Sequence, residues 1–141
     1  MSIWFAPASL ETLGAWQAGT MMEHLGIAIT AIGDDWIEGT MPVDHRTHQP
    51  HGILHGGASV VLAETLGSYG ASLVLDQSKR RAVGQEVSAS HLRPVYSGYV
   101  TGRARPLHLG GRSQVWSIEI RNEAGQPTCV SRLTLAVIDV R

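Results

Sequence analysis

The order of apolar periodicities in this chain predicts an α+β fold in which a curved antiparallel sheet wraps one long helix. Three observations carry that prediction. Residues 55–75 read as a helix that is apolar almost all the way round, and such a helix belongs inside a core. Two β-like runs precede it, and four follow it with turn residues between them. At 141 residues, with 43% hydrophobic and 16% charged residues, the chain fits one domain with a real core and few surface charges to spare. That sparse charge favours burial of surface in an oligomer.

Taken in order, Ser9 can cap a helix over about Leu10 to Ala18, with Glu11 favourable in its first turn. Leu10, Leu13 and Trp16 are its expected inner stripe. Residues 20–26 hold another turn, ended by Gly26, so residues 1–20 form an N-terminal helical extension on a single domain spanning 1–141. Ile27–Ile32 and Trp36–Val43 are strands joined by the hairpin chemistry of Gly33-Asp34-Asp35. In the second, Trp36, Glu38 and Thr40 alternate with Ile37, Gly39 and Met41. Residues 44–54 have no period, and Pro50 and Gly52 make them a loop feeding the central helix. After a polar turn come strands at Ala82–Leu92, Tyr99–Leu107, Ser113–Arg121 and Thr128–Ile138. Gly110-Gly111 and residues 122–127 supply two of the breaks between them.

Bulk properties exclude several classes. A net charge of −1 gives no electrostatic case for nucleic acid or a membrane surface. The single cysteine, Cys129, rules out a disulfide framework and a cysteine-based zinc site. The first residues lack the charged and apolar regions of a leader peptide, and Glu64, Gly67, Ser68 and Gly70 interrupt the central helix too often for a membrane span. A cytoplasmic protein is the expectation.

The chemistry gathers around the central helix. Glu64 is its only carboxylate, sharing a narrow polar stripe with Ser68 and Ser72 at i, i+4, i+8. Two readings stand side by side: a core carboxylate satisfied by Ser68, or a base or nucleophile tuned by partial desolvation. Gly56 and Gly57 leave the first N–H groups open at the positive end of the helix dipole, where a polarised carbonyl or oxyanion is stabilised. Alternatively, they only let the helix start pack on a strand. His45, His48, His51 and His55 crowd residues 45–55, but Pro50 and Gly52 deny them a regular helix, so no metal site is expected. Gln49 and His55 read instead as hydrogen-bonding groups near the helix start. Arg93 and Arg112 lie at loop ends where they can grip phosphates, or simply be solvated.

Gln49-Pro-His-Gly-Ile-Leu-His-Gly-Gly-Ala-Ser-Val-Val-Leu-Ala-Glu64, flanked by Gly33–Asp44 and Pro106–Arg112, resembles the hotdog-fold acyl-CoA thioesterases. The resemblance is to the PaaI, Arthrobacter-type 4-hydroxybenzoyl-CoA thioesterase and 1,4-dihydroxy-2-naphthoyl-CoA hydrolase group, and it runs from about Met21 to Ile138. It implies a dimer with one continuous sheet, a tetramer of two dimers, and sites at the dimer interface. Glu64 would then be nucleophile or general base, and the Gly56 N–H would polarise the thioester carbonyl. Gln49 and His55 would orient the thioester, and Ser68 would position water or Glu64. Gly84, His91, Leu92, Arg93 and Pro94, with His108, Leu109, Gly110, Gly111, Arg112 and Ser113, match the region holding the CoA pantetheine and nucleotide. Tyr69 and Ser72 would shape the acyl pocket.

The implied reaction is hydrolysis of an acyl- or aryl-CoA thioester without metal or redox cofactor. Benzoyl, dihydroxynaphthoyl and medium-chain acyl groups, on CoA or on a carrier protein, all fit that reading. A hydratase would need a histidine five residues after Asp44, where Gln49 stands. A non-catalytic acyl-CoA-binding module and a metallohydrolase are the remaining alternatives.

Overall fold

A computed structural model describes residues 1–141. Ser9 Oγ accepts from the Thr12 N–H at 3.2 Å and so starts α1, Leu10–Gln17. Its inner stripe is Leu13 and Gln17, one turn apart and both buried, with Trp16 half-buried beside them. Leu10, expected inside, is exposed. Gln17 is held inside because its Nε2 donates to the Ile27 carbonyl at 2.6 Å. A single turn, α2 (Met21–His24), ends at Gly26, whose φ of 75° suits glycine. The hairpin of β1 (Ala28–Ile32) and β2 (Ile37–Val43) follows, closed by the Gly33 N–H on the Trp36 carbonyl at 2.9 Å. In β2 the expected alternation is present: Ile37, Gly39 and Met41 are buried.

The chain then runs through a loop into α3, Gly56–Val74, and out into β3 (Arg80–His91), β4 (Gly98–Leu109), β5 (Ser113–Arg121) and β6 (Pro127–Asp139). All six strands join one antiparallel sheet in the order β1-β2-β4-β5-β6-β3. Because β2 and β3 lie far apart in that order, α3, which connects them, is laid across the inner face of the sheet. The result is the hotdog fold, with α3 as its filling.

Small residues set how closely the helix lies. A methyl on Gly67 would come within 2.7 Å of Leu133 Cδ2, and one on Gly70 within 2.6 Å of Trp116 Cη2. On the sheet, a methyl on Gly102 would meet Leu66 Cδ1 at 2.8 Å. Leu62, Ala63, Leu66 and Ala71 fill the seam against Trp116, Ile118, Ile120, Leu133 and Leu135, all buried. At the far end, Trp4 stacks on Trp116 with centroids 6.4 Å apart, and the Phe5 N–H takes the Leu73 carbonyl at 2.9 Å.

The two sheet edges differ. The β1 edge is only five residues long and has a register shift between Ile29 and Ala31. The β3 edge is twelve residues long, is paired on one side only, to β6, and exposes Val83. Long open edges invite further pairing. No helix is long and apolar enough to cross a membrane.

Gly67→Leu and Gly70→Leu should each destabilise the fold by about 1–3 kcal/mol through overpacking, measured as a fall in the urea midpoint. Gly111→Ala, with nothing within 4 Å of the added methyl, should move it by less than about 0.5 kcal/mol.

Candidate active site

The helix start is fixed by its own loop. The Leu54 N–H donates to the Val95 carbonyl and the His55 N–H to the Thr47 carbonyl, both at 2.8 Å. Thr47 is buried, with its hydroxyl on the Pro42 carbonyl at 2.7 Å. Gly52, at φ 76°, makes the tight turn between them. His55 is the N-cap: its Nδ1 accepts from the Gly57 N–H at 2.8 Å. That bond requires the neutral ring to carry its proton on Nε2. The Ala58 and Ser59 N–H groups turn back to the His55 carbonyl at 3.0 and 3.3 Å. Of the first-turn donors, only the Gly56 N–H has no partner in the chain.

That free donor opens on a cavity of about 380 Å³. Among the sequence-predicted residues, Gln49, Gly56, His91, Leu92, Arg93 and Pro94 line it. Ile53, Leu54 and Ser59, which lie within the same loop-to-helix motif but were given no role, line it too, as does Thr128, which the return of β6 brings beside the helix start. Gln49 Oε1 accepts from the His51 N–H, which leaves the amide NH₂ as the free end. The His91 ring packs on Gly56: a methyl there would come within 2.8 Å of Nε2. Arg93 Nη1 donates to the Pro127 carbonyl at 2.7 Å while the side chain stays exposed.

Glu64 lies elsewhere. It is half-buried on the open stripe of α3 with Ser68 and Ser72, so it is not sealed in the core. Its carboxylate rests on β3, where a methyl on Gly84 would come within 2.6 Å of Oε2. Gly84 therefore makes room for Glu64. Glu64 stands eight positions along the helix from Gly56, about 12 Å of rise. Tyr69 turns the other way, edge-on to Trp16 with centroids 5.4 Å apart. Its hydroxyl is buried without a partner, and burial pushes the phenol pKa up.

The second predicted loop sits at the opposite end of α3. The Gly110 N–H closes the β4–β5 turn on the Ser113 carbonyl, and His108 leans on Gly110. Arg80 Nη1 donates to the Gly111 carbonyl at 2.9 Å, and Arg80, Gly111 and Arg112 share a hollow of about 390 Å³. One chain thus does not bring His108–Ser113 to His91–Pro94.

The remaining polar groups have local work. Arg46 grips Asp44 through Nε at 3.1 Å and Nη2 at 2.7 Å, which holds that carboxyl well below the usual range. His48 Nε2 bonds the Tyr96 carbonyl at 3.0 Å, and His45 is exposed. No three His, Cys, Asp or Glu side chains converge.

Removing the cap by His55→Ala should cost about 1 kcal/mol of unfolding free energy in urea. His55→Asn, which can still accept from the Gly57 N–H, should recover most of it.

Known proteins resemble this arrangement as a whole. Residues 51–129 match the thioesterase superfamily. The proofreading thioesterase EntH of Cronobacter sakazakii is 54% identical over 136 residues, covering 96% of this chain and 98% of its own length. The 1,4-dihydroxy-2-naphthoyl-CoA hydrolase of Escherichia coli K12 is 50% identical over 136 residues, covering 96% and 99%. The crystal structure of a thioesterase from Haemophilus influenzae superposes with a TM-score of 0.94 at 54% identity, covering 97% and 95%.

Proposed function

The chain belongs to the hotdog-fold thioesterase superfamily, and from that premise we propose that it hydrolyses an acyl- or aryl-CoA thioester to the free acid and CoA. The observation that carries this reading is the single unpartnered helix-start N–H of Gly56, open to a cavity whose wall includes the Gln49 amide. An oxyanion needs a preorganised donor where charge develops, and the helix dipole adds to it. The Gln49 NH₂ and the His55 Nε2–H orient the thioester end. The E. coli relative carries a CoA thioester in its name, which supports the substrate class.

The reacting group is Glu64. Its carboxylate either attacks the carbonyl carbon or takes a proton from an attacking water, with Ser68 positioning it. The carbonyl π pair moves to oxygen, then returns as the C–S bond breaks and CoA leaves as thiolate; where Glu64 is the nucleophile, water then hydrolyses the resulting anhydride, releasing the free acid and restoring the carboxylate. A thioester is electrophilic enough, and thiolate a good enough leaving group, for one carboxylate and an oxyanion donor to suffice. An attacking atom must come within about 3–3.5 Å of the carbonyl carbon. A separation of about 12 Å along the helix is too long for Glu64 to attack directly a carbonyl held on the Gly56 of its own chain.

A second copy removes that difficulty. Pairing two open β3 edges antiparallel about a two-fold sets the His91 end of one strand beside the earlier part of the other. The partner's Glu64, resting on the partner's Gly84, then faces this chain's Gly56. The same operation carries the partner's Arg80, Gly111 and Arg112 toward Arg93, where they bind the CoA phosphates. Leu92, Pro94, His108, Leu109, Gly110 and Ser113 frame the path of the pantetheine and nucleotide. Ser72 lies beyond Glu64, on the acyl side, whereas Tyr69, packed on Trp16, faces away from it. Two such dimers make the tetramer. The acyl carrier is CoA, and a pantetheine-bearing carrier protein is the substrate to compare with it.

Glu64→Gln should lower kcat about 10²–10⁴-fold on benzoyl-, 1,4-dihydroxy-2-naphthoyl- or hexanoyl-CoA, followed by thiol release, and leave the oligomer intact. Near-wild-type turnover in that variant would remove Glu64 from the chemistry. CoA binding without thiol release by the wild type would point to a binding module.

A further inference from the structure

The register of β3 assigns His91 a more specific position than a cavity wall. Ala82, Gly84, Val87, Ala89 and His91 share the strand face turned toward α3, across a register shift between Gly84 and Glu86; Ala82, Val87 and Ala89 are half-buried there, while Gly84 and His91 are exposed but meet Glu64 and Gly56. The first four are small or apolar. The last places an imidazole against the first residue of α3.

Gly56 explains why the ring fits. Its φ is not positive, so its backbone does not require glycine. A methyl at this position would meet His91 Nε2 at 2.8 Å, Cε1 at 3.1 Å and Cδ2 at 3.3 Å, so the glycine makes room for the ring. Side-chain bonds on a helix tilt toward its N-terminus, the direction in which the first N–H groups also point. His91 Nε2 therefore lies beside the one free N–H, and both residues line the same 380 Å³ cavity. No group of the chain hydrogen-bonds either ring nitrogen of His91. The other histidine here, His55, is already committed through Nδ1 to the Gly57 N–H.

We propose that the His91 Nε2–H is the second donor to the thioester carbonyl oxygen, completing with the Gly56 N–H a two-point oxyanion site. The inference rests on the thioesterase reading above. When the attacking oxygen bonds to the carbonyl carbon, the π pair moves to oxygen and both donors hold it. When the pair returns, the C–S bond breaks and the electrons leave on the CoA thiolate. His91 keeps its proton throughout, so the step needs no further reactant.

The test compares His91→Ala, His91→Gln and wild type on benzoyl-CoA and hexanoyl-CoA. It adds the infrared carbonyl band of bound phenacyl-CoA, a ketone analogue labelled with ¹³C at the carbonyl. His91→Ala should lower kcat about 10²-fold with KM changed less than about threefold. His91→Gln, which keeps an N–H donor, should recover part of that loss. The carbonyl band should move to lower wavenumber on binding wild type, and move less on binding His91→Ala. A raised KM with unchanged kcat and an unchanged band in His91→Ala would overturn the inference while leaving the thioesterase reading in place. Wild-type protein that releases thiol from no CoA thioester would overturn both.

Discussion

Everything in this molecule depends on how α3 is seated. A helix laid across a twisted sheet normally stands off by the width of its side chains. Here glycines on both surfaces remove that width. Gly67 and Gly70 take Leu133 and Trp116 directly against the helix, and Gly102 takes Leu66 against the sheet. The same economy recurs where chemistry is expected: Gly56 takes the His91 ring and Gly84 the Glu64 carboxylate. A glycine at each of these points is a contact requirement, since none of the five has a positive φ.

Seating the helix this way determines what one chain can and cannot assemble. Its N-terminal end receives the loop of Gln49, the end of β3 and the start of β6, which together make a cavity around one free N–H. Glu64 is carried two turns away to the edge strand. The arginine-bearing turn of β4 and β5 is carried to the far end of the helix, where Arg80 holds it. Three parts of a proposed thioester site are thus spread along a single helix of 19 residues. In the proposed dimer, pairing of the open β3 edges brings them together.

Much of the fold was legible in the sequence because its signals are periodic. The helix expected over 55–75 runs Gly56–Val74, β5 has the bounds expected, and the alternation of Ile37, Gly39 and Met41 faces the core as read. Leu10 misled because apolar character on an amphipathic helix does not say which flank meets the sheet. Gln17 lies inside instead, its amide NH₂ donating to the Ile27 carbonyl while its Oε1 is buried without a partner. The acid at 64 stood out because it interrupts an apolar helix. The roles of His55 as cap and His91 as neighbour of Gly56 were not legible, since both depend on contacts between segments distant in sequence or on a ring rotamer. His91–Pro94 and His108–Ser113 lie at opposite ends of α3 in one chain, so their grouping rests on the resemblance and on a second subunit.

The central claim is that the carbonyl-binding end of α3 and the reacting carboxylate come from different subunits. Mixing two inactive variants tests it most directly: Glu64→Gln and Gln49→Ala, co-refolded in equal amounts and assayed for thiol release from benzoyl-CoA and hexanoyl-CoA. A shared site predicts that mixed dimers each hold one intact constellation, so about a quarter of wild-type activity returns. If each site lies within one chain, the mixture stays as inactive as its parents, and that result would contradict the account.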